Sequence, residues 1–424
     1  MTTPPTTPPT GQPGTDELVG VDQHLAGLLG AVEPVAPLDL QLLDAHGCIL
    51  AETVVAGVDL PPFDNSSHDG YAVRTSDVAA ASPQNPVQLP VVGDVAAGSA
   101  STYTVQPGLC VRIMTGAPVP PGADAVVPLE WTDRGIAAVT ITRAPEPGAH
   151  IRRRGEDVTT GQPVLEAGTR LGPGQLGLLA AVGRDRVTVR PRPRVVIVST
   201  GSELVEPGTP TTMGQIHESN SFMLTTAARE AGALAFRVGI VADDAKSLMN
   251  AIEDQLIRAD LVLTSGGVSV GAYDVVKEVL SRLGTVSFER VAMQPGMPQG
   301  FGTIGPDSTP IITLPGNPVS SYVSFEVFVR PVIRRMLGVE PLHRPVVRAV
   351  CLEGFASPAG RRQFMRGWLD VTDGRYVVRP VGGAGSHLVG ALAHANALIV
   401  VPEAATAVGE GDAVEVMVLE RRLS

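Results

Sequence analysis

Strand-like and helix-like hydrophobic patterns alternate through the middle of the chain, from Arg194 to Leu337. Short apolar runs are followed by segments whose apolar residues recur every three or four positions, as at Leu248, Ile252 and Leu256. Alternation of this kind predicts a doubly wound, mostly parallel α/β sheet. The predicted strands are Val195–Ser199, Phe236–Ile240, Leu261–Thr264 and Ile311–Leu314, and the predicted helices begin at Ser221, Ala245, Asp274 and Pro318.

The segments on either side of this region have other patterns. Short strands punctuated by glycine and proline, without helical periodicity, occupy residues 61–139 and predict a β-rich insertion in an N-terminal domain. From Val346 onward, short alternating strands predict a C-terminal β domain. The predicted elements are helices at Asp22–Leu29, Pro37–Leu43 and Leu165–Leu179, and strands at Cys48–Val58, Arg375–Pro380, Ala397–Val401 and Ala413–Leu419.

Composition narrows the class of protein. The net charge of −11, without any dense basic run, argues against nucleic acid as the main partner. No apolar run approaches the ~20 residues that a membrane-spanning helix needs. The first fifteen residues, MTTPPTTPPTGQPGT, lack the features of a signal peptide and are predicted to be a disordered tail. Cys48, Cys110 and Cys351 have no paired spacing, so we expect buried thiols and a cytoplasmic location.

Polar loops that contain glycine follow three of the predicted strands. They are Ser199–Glu203 (STGSE), Thr264–Gly271 (TSGGVSVG) and Leu314–Ser320 (LPGNPVS). Ligands of open α/β sheets bind outside the carboxyl ends of the strands, so the three loops are expected to form one pocket. Backbone N–H groups in such loops, with the positive end of the next helix, favour a phosphate or another oxyanion.

Acidic residues in these loops are candidate metal ligands. Asp274 and Glu203 each lie in a glycine loop, and a carboxylate beside a bound anion favours an oxygen-ligated cation such as Mg²⁺. For the loop before Asp274 taken alone, an ordinary glycine-rich turn with Asp274 as a helix cap is an equal alternative. We expect at least one of Asp243 and Asp244 to cap the helix that follows.

Three further features have structural interpretations. Asn317 is placed to cap a helix whose first turn contains Pro318. Glu156 and Asp157 follow three arginines and could form only an ion-pair cluster with them. His68 lies in a polar run that could be a hydrogen-bonded turn, and it has no second histidine or cysteine at zinc-ligand spacing, which argues against a zinc site.

Seven motifs in order resemble the molybdopterin molybdenumtransferase family, called MoeA in bacteria and the E domain of gephyrin in animals. They are DNSSHDGYAVR, RIMTGAPVPPGADAVVP, IRRRGEDV, STGSEL, TSGGVSVG, LPGNPVSS and GAGSHL. The resemblance implies a cytoplasmic homodimer that inserts molybdate into adenylylated molybdopterin, releasing AMP, with Mg²⁺ as cofactor. It also implies four domains behind the tail at 1–15: an elongated N-terminal domain (16–60 and 146–191), a β-rich insertion (61–145), a molybdopterin-binding α/β domain (192–340) and a C-terminal β-barrel (341–424).

The resemblance also implies roles for individual residues. Asp274 and Glu203 match acids around the metal and the pterin nucleotide, whereas Asp69, Thr115 and Asp157 match positions that reach in from the partner subunit. The predicted catalytic residues are Asp274, Glu203, Asp69 and Asp157. The predicted substrate-binding residues are Thr115, Ser265, Gly266, Gly267, Ser269, Lys277, Arg290, Pro315, Gly316, Asn317, Pro318, Arg366 and Ser386.

One departure from the family pattern concerns anion binding. Many members have Lys-Pro-Gly-Lys-Pro where this chain has Gln294-Pro-Gly-Met-Pro298, so two cations near the expected anion pocket are missing. Two alternatives to the transferase remain open. One is a non-catalytic, pterin-binding scaffold of the same family, and the other is a different nucleotide-cleaving enzyme built on the same α/β domain.

Overall fold

The computed structural model describes residues 18–98, 103–242, 244–266 and 275–419, with backbone alone for 275–277. The chain divides into two compact units, and each is described by itself. The sheet unit comprises the chain up to Leu38, Gly47–Ile49 and the chain from Arg190 onward. The insertion unit comprises Asp39–His46 and Leu50–Val189. The predicted tail, Asp243, Gly267, Ser269, Asp274 and the side chain of Lys277 lie outside the described residues.

The N-terminal part of the chain contains one helix of the sheet unit and then short elements. A five-stranded sheet of order β8-β5-β7-β6-β9 forms the β-rich core of the insertion unit. The elements are α1 (Val21–Gly30), β1 (Leu38–Gln41), β2 (Ile49–Leu50), β3 (Val54–Val55), β4 (Asn65–Ser66), β5 (Gly70–Val73), α2 (Thr75–Val78), β6 (Val87–Val95), β7 (Cys110–Ile113), β8 (Ala125–Pro128), β9 (Ala138–Ile141), β10 (Ile151–Arg152), β11 (Pro163–Leu165), α3 (Pro173–Ala181) and β12 (Arg186–Arg190).

Two helix predictions in this part are wrong, and the single strand predicted at Cys48–Val58 is two short strands, β2 and β3, in different sheets. Residues 37–43 contain the strand β1, which pairs with β12, because Leu38 and Leu40 also fit the two-residue period of a strand. The helix predicted from Leu165 begins only at Pro173, a residue suited to the first helical position, and Leu165 ends β11.

A six-stranded sheet organises the next part of the chain. Its order is β16-β13-β17-β21-β20-β18, in which the first four strands are parallel and the last two antiparallel. The elements are β13 (Arg194–Thr200), β14 (Leu204–Val205), β15 (Ile216–His217), α4 (Asn220–Ala231), β16 (Leu234–Val241), α5 (Ala245–Leu256), β17 (Leu261–Ser265), α6 (Val275–Leu283), β18 (Ser287–Arg290), β19 (Met293–Gln294), β20 (Pro298–Ile304), β21 (Thr309–Leu314), α7 (Pro318–Ser324), a π-helical turn (Phe325–Val329) and α8 (Arg330–Leu337).

Both faces of this sheet are buried, which explains the continuous apolar runs of its central strands. Ile197 and Leu263 face a core shared with α4, α7 and α8, while Val196 and Val262 face a second core with α5 and α6. Asp244 caps α5 by accepting a hydrogen bond from the Ser247 N–H at 2.9 Å, as predicted for one of the two aspartates. The predicted doubly wound, mostly parallel sheet is confirmed.

The C-terminal part is a closed barrel of five strands, also as predicted. The strands follow the order β24-β25-β22-β28-β26, and β26 pairs again with β24. The elements are β22 (Val346–Cys351), β23 (Phe355–Ala356), β24 (Arg362–Thr372), β25 (Arg375–Pro380), α9 (Val389–Ala393), β26 (Ala397–Val401), β27 (Ala407–Val408) and β28 (Ala413–Val418). The three cysteines are buried free thiols, and no helix in the described ranges could cross a bilayer.

Candidate active site at the carboxyl edge of the parallel sheet

The loops after β13, β17 and β21 meet at the carboxyl edge of the sheet. The Gly266 N–H donates a hydrogen bond to the Leu314 carbonyl at 3.1 Å. Gly266 has φ of +99°, and a Cβ there would lie 2.7 Å from the Thr200 carbonyl oxygen. A Cβ at Gly316 would lie 3.5 Å from the Gly266 Cα. Glycine at 266 therefore allows the backbones of the three loops to approach one another closely.

Asn220, at the start of α4, links two of these loops. Its Nδ2 donates to Ser265 Oγ at 2.8 Å and to the Gly316 carbonyl at 2.6 Å. Its Oδ1 is buried and accepts no hydrogen bond from the residues that the structure describes. The sequence did not single out Asn220, because an asparagine at a helix start is ordinarily a cap. Its amide is a buried polar group that a ligand at this edge could satisfy.

A loop of the barrel reaches the third site loop. Asn317 occupies the N-cap position of α7, but its side chain makes no capping hydrogen bond, so the predicted cap is wrong. The Asn317 Nδ2 instead donates to Ser386 Oγ at 3.0 Å, and the Val319 N–H donates to the Ser386 carbonyl at 3.0 Å. Pro318 occupies the first helical turn as predicted. Pro315, Gly316, Asn317 and Ser386 are thus brought together.

Arg366 supports the same barrel loop. Its side chain is 1% exposed, and its guanidinium donates to the carbonyls of Gly383 and Gly385. The buried Nε has no acceptor, and no carboxylate pairs with this arginine within the described ranges. Burial lowers the pKa of the Arg366 guanidinium. An arginine without a counter-charge, buried beside Ser386, favours an anion at this end of the site.

The Gln294-Pro-Gly-Met-Pro298 segment lies against β24 of the barrel. Gln294 is in register with Gln363 in the parallel pairing of β19 and β24. The Arg290 Nε donates to Met297 Sδ at 3.4 Å, so an arginine contacts the residue that replaces one of the family's lysines. Arg290, one of the predicted substrate-binding residues, therefore lies next to this segment.

Glu203 lies at the first loop, with its carboxylate folded over Gly201. A Cβ at Gly201 would be 2.7 Å from Glu203 Oε2. The side chain is exposed, and no described residue donates a hydrogen bond to its carboxylate. Over the described ranges, no group of three or more His, Cys, Asp or Glu side chains is arranged to hold a metal ion. Glu203 can supply one oxygen ligand, and its predicted fellow ligand Asp274 lies outside the described residues.

A buried carboxylate that the sequence did not reveal supports the same loop. Glu218 is 2% exposed, and it accepts hydrogen bonds from Ser199 Oγ at 3.0 Å and from the Ser221 N–H at 2.7 Å. Its Oε2 lies 3.5 Å from an Arg237 guanidinium nitrogen. These contacts fix the end of β13 to the start of α4.

Asp69 and Thr115 form a pair in the insertion unit. Asp69 Oδ1 accepts from the Thr115 N–H at 2.7 Å and from Thr115 Oγ1 at 2.8 Å. These hydrogen bonds, the backbone one first, hold the pKa of the Asp69 carboxyl below its usual value. Asp69 is exposed, so its ionised carboxylate is accessible to a ligand or to another subunit.

The arginines before Glu156 pair with other acids than predicted. Arg153 lies 2.6 Å from Asp64 Oδ2, and the Arg154 guanidinium contacts Asp59. Among the described residues, the one donor to the Glu156 carboxylate is the backbone N–H of Arg153, at 2.8 Å. Asp157 is exposed, and no described side chain pairs with its carboxylate. The predicted ion-pair cluster of Glu156 and Asp157 with these arginines is therefore wrong, because the arginines pair with Asp59 and Asp64 from the segment before β4.

Replacing Thr115 by valine tests whether the Asp69 carboxylate must be ionised. The change removes one donor to the charged form, so the Asp69 pKa should rise and the acid limb of the pH–rate profile should move to higher pH. Thr160→Val is the matched control. Thr160 donates through N–H and Oγ1 to Asp59, each at 2.7 Å, and helps to lower the pKa of that carboxyl to about 2. A profile that moves equally in both variants would contradict a special role for Asp69.

Three known sequence families match successive parts of the chain. The MoeA N-terminal region (domain I and II) matches residues 19–183, the probable molybdopterin binding domain matches 196–335, and the MoeA C-terminal region (domain IV) matches 348–419. The sheet unit thus contains both the second and the third match.

Individual relatives match over nearly the whole chain. Molybdopterin molybdenumtransferase 2 of Mycobacterium tuberculosis is 47% identical over 402 residues, which cover 93% of this chain and 98% of the relative. The molybdopterin molybdenumtransferase of Bacillus subtilis is 37% identical over 384 residues, 89% of each chain. Among solved structures, the molybdopterin biosynthesis moea protein from Pyrococcus horikosii matches with a TM-score of 0.75 and 32% identity, covering 95% of this chain and 100% of that one. The chain belongs to the molybdopterin molybdenumtransferase family of molybdenum cofactor biosynthesis, and it is a transferase.

Proposed function

We propose that this enzyme inserts molybdate into adenylylated molybdopterin and releases AMP, in a Mg²⁺-dependent reaction in the cytoplasm. The observation that carries the proposal is the meeting of three glycine loops at one sheet edge, next to a barrel loop supported by Arg366. The substrates are two anions, a phosphoanhydride and an oxyanion. The glycine loops would hold the phosphates through backbone N–H groups, and the Arg366 side of the site would receive molybdate.

Binding and orientation are the main contributions of this chain to the reaction. Asn220 and Ser265 would hold the pterin nucleotide against the loop edge, and Ser386 would fix the third loop through Asn317. Mg²⁺, held by Glu203 and Asp274, would neutralise the nucleotide phosphate and polarise it for attack by a molybdate oxygen or water. The proposal requires no covalent protein intermediate.

We further propose that the active form is a homodimer with composite sites. The predicted acids belong to two different units: Asp69 and Asp157 to the insertion unit, and Glu203 and Asp274 to the sheet unit. Asp69 and Asp157 are both exposed. Among the described residues, none donates a hydrogen bond to Asp69 Oδ2 or to the Asp157 carboxylate. These acids are suited to complete the site of a second copy of the chain.

AMP release tests this function directly. Purified protein with adenylylated molybdopterin, molybdate and Mg²⁺ should release AMP, and omission of either molybdate or Mg²⁺ should stop the release. Tight binding of the pterin nucleotide without AMP release under the complete conditions would contradict the transferase reaction proposed here and would favour the non-catalytic scaffold.

The missing lysines of the Gln294-Pro-Gly-Met-Pro298 segment give a further prediction. Gln294→Lys combined with Met297→Lys adds two cations next to Arg290, and each exposed charge-assisted contact contributes on the order of 1 kcal/mol. The molybdate concentration for half-maximal rate should fall by roughly tenfold, or ~1.4 kcal/mol, with a smaller change in the saturated rate.

The control for this experiment separates the effect of charge near the Gln294–Pro298 segment from the effect of a change in net charge. Met213→Lys combined with Ile257→Lys adds the same charge at two highly exposed positions of the sheet unit, 103% and 91% exposed. It should leave the molybdate dependence unchanged. If the Gln294/Met297 variant behaves like this control, molybdate does not bind beside that segment.

A further inference from the structure

Two histidines that are far apart in the sequence lie side by side in the insertion unit. The ring centroids of His68 and His150 are 4.5 Å apart, with the ring planes at 72°. His68 is exposed and His150 is half-buried, so the pair is accessible from solvent. The sequence argument that His68 lacks a second histidine at ligand spacing therefore does not hold in three dimensions.

The surroundings hold both rings in place. Ser67 Oγ is hydrogen-bonded to His68 Nδ1 at 2.8 Å, and the Ser67 N–H donates to the His150 carbonyl at 3.0 Å. The Trp131 ring packs edge-on against His150, with centroids 5.3 Å apart. His150 has φ of +60°, a left-handed conformation that few residues other than glycine adopt. These contacts therefore hold the left-handed backbone conformation of His150, and in this conformation the His150 ring lies against the His68 ring.

We propose that His68 and His150 together form a binding site for a borderline divalent transition-metal ion of the Cu²⁺, Ni²⁺ or Zn²⁺ class. Imidazole nitrogen is a preferred ligand of these ions, whereas Mg²⁺ prefers oxygen, so the site differs from the proposed Mg²⁺ site. The hydrogen bond between Ser67 and Nδ1 leaves Nε2 of His68 as the ligand atom, an arrangement common in metal-binding histidines. The described residues add no third His, Cys, Asp or Glu ligand, so water would fill the other positions.

The protonation of His150 favours this role. A histidine binds metal only as neutral imidazole. Burial lowers the pKa of His150, and the nearby His68 and Arg143 lower it further. The Arg143 guanidinium stacks on the Trp131 ring, 4.1 Å from its centroid. A lowered pKa favours the neutral imidazole, which is the form that can bind a metal ion.

Calorimetric titration of the tag-free, full-length protein with Cu²⁺, Ni²⁺ and Zn²⁺ tests the site. We expect one ion per chain, with Cu²⁺ bound more tightly than Ni²⁺ or Zn²⁺, and no competition by excess Mg²⁺. His68→Ala and His150→Asn should each abolish this stoichiometric binding, and Ser67→Ala should weaken it about tenfold. Asparagine is chosen at 150 because it tolerates the left-handed backbone, so the variant should fold.

His46→Ala is the matched control, since His46 is another exposed histidine of the same unit. It should leave metal binding unchanged. In a parallel NMR titration, substoichiometric Cu²⁺ should broaden two histidine ring signals first, and these should be the signals missing from His68→Ala and His150→Asn. Unchanged binding in His150→Asn, absence of binding to the native chain, or an equal loss in His46→Ala would overturn the proposal.

Discussion

Asp274→Asn is expected to reduce Mg²⁺-dependent AMP release by at least about a hundredfold while leaving the melting temperature unchanged. Asp274 directly precedes α6 in the sequence and follows the glycine-rich segment after β17. As a metal ligand it must carry negative charge, which asparagine lacks. As a helix cap it needs only a short side-chain oxygen acceptor, which asparagine supplies equally well. The substitution therefore separates the two interpretations that the sequence left equal.

The measurement compares AMP release and thermal unfolding in the same preparations. Asp254→Asn is the control, because Asp254 is an exposed acid of α5 and lies outside the three site loops. It should change neither quantity. Near-native turnover of Asp274→Asn would remove the residue from the proposed Mg²⁺ site.

The central strands could be predicted from the sequence because burial on both faces leaves a continuous apolar run. β20 was not predicted, and its sequence shows the reason. β20 contains Gly300 and Gly302, where a Cβ would lie 2.1 Å from Thr313 Oγ1 and 2.1 Å from the Thr285 carbonyl oxygen. These glycines permit close approach of neighbouring segments, but they also erase the hydrophobic pattern by which a strand is identified.

Some features of the site could be predicted from local sequence, whereas others depend on contacts between distant residues. The positions of Glu203, Ser265, Gly266 and Gly316 follow from the rule that loops at the carboxyl ends of parallel strands meet. The contacts of Asn220 with two such loops, and of Asn317 with a barrel loop, join residues that no local pattern relates. The same holds for His68 and His150. Local sequence therefore predicts the loops of the site, whereas its cross-links require the three-dimensional structure.

Mixing two inactive variants should restore activity if the sites are composite. Asp69→Ala removes an acid of the insertion unit and Asp274→Ala removes an acid that belongs to the sheet unit. After subunit exchange of equal amounts, half of the dimers are hybrids, and each hybrid has one site with both acids intact. We therefore expect about a quarter of the native AMP-release rate, which follows from counting sites in a two-fold symmetric dimer.

The control mixture uses two acids of the same unit. Asp274→Ala mixed with Glu203→Ala leaves every site, in homodimers and hybrids alike, without one of the two acids, so no activity should return. Exchange is followed independently by labelling the two variants with different fluorophores. If exchange is complete and the Asp69/Asp274 mixture stays as inactive as the Glu203/Asp274 mixture, each site must draw its acids from a single chain, because only then does a hybrid gain nothing from its partner.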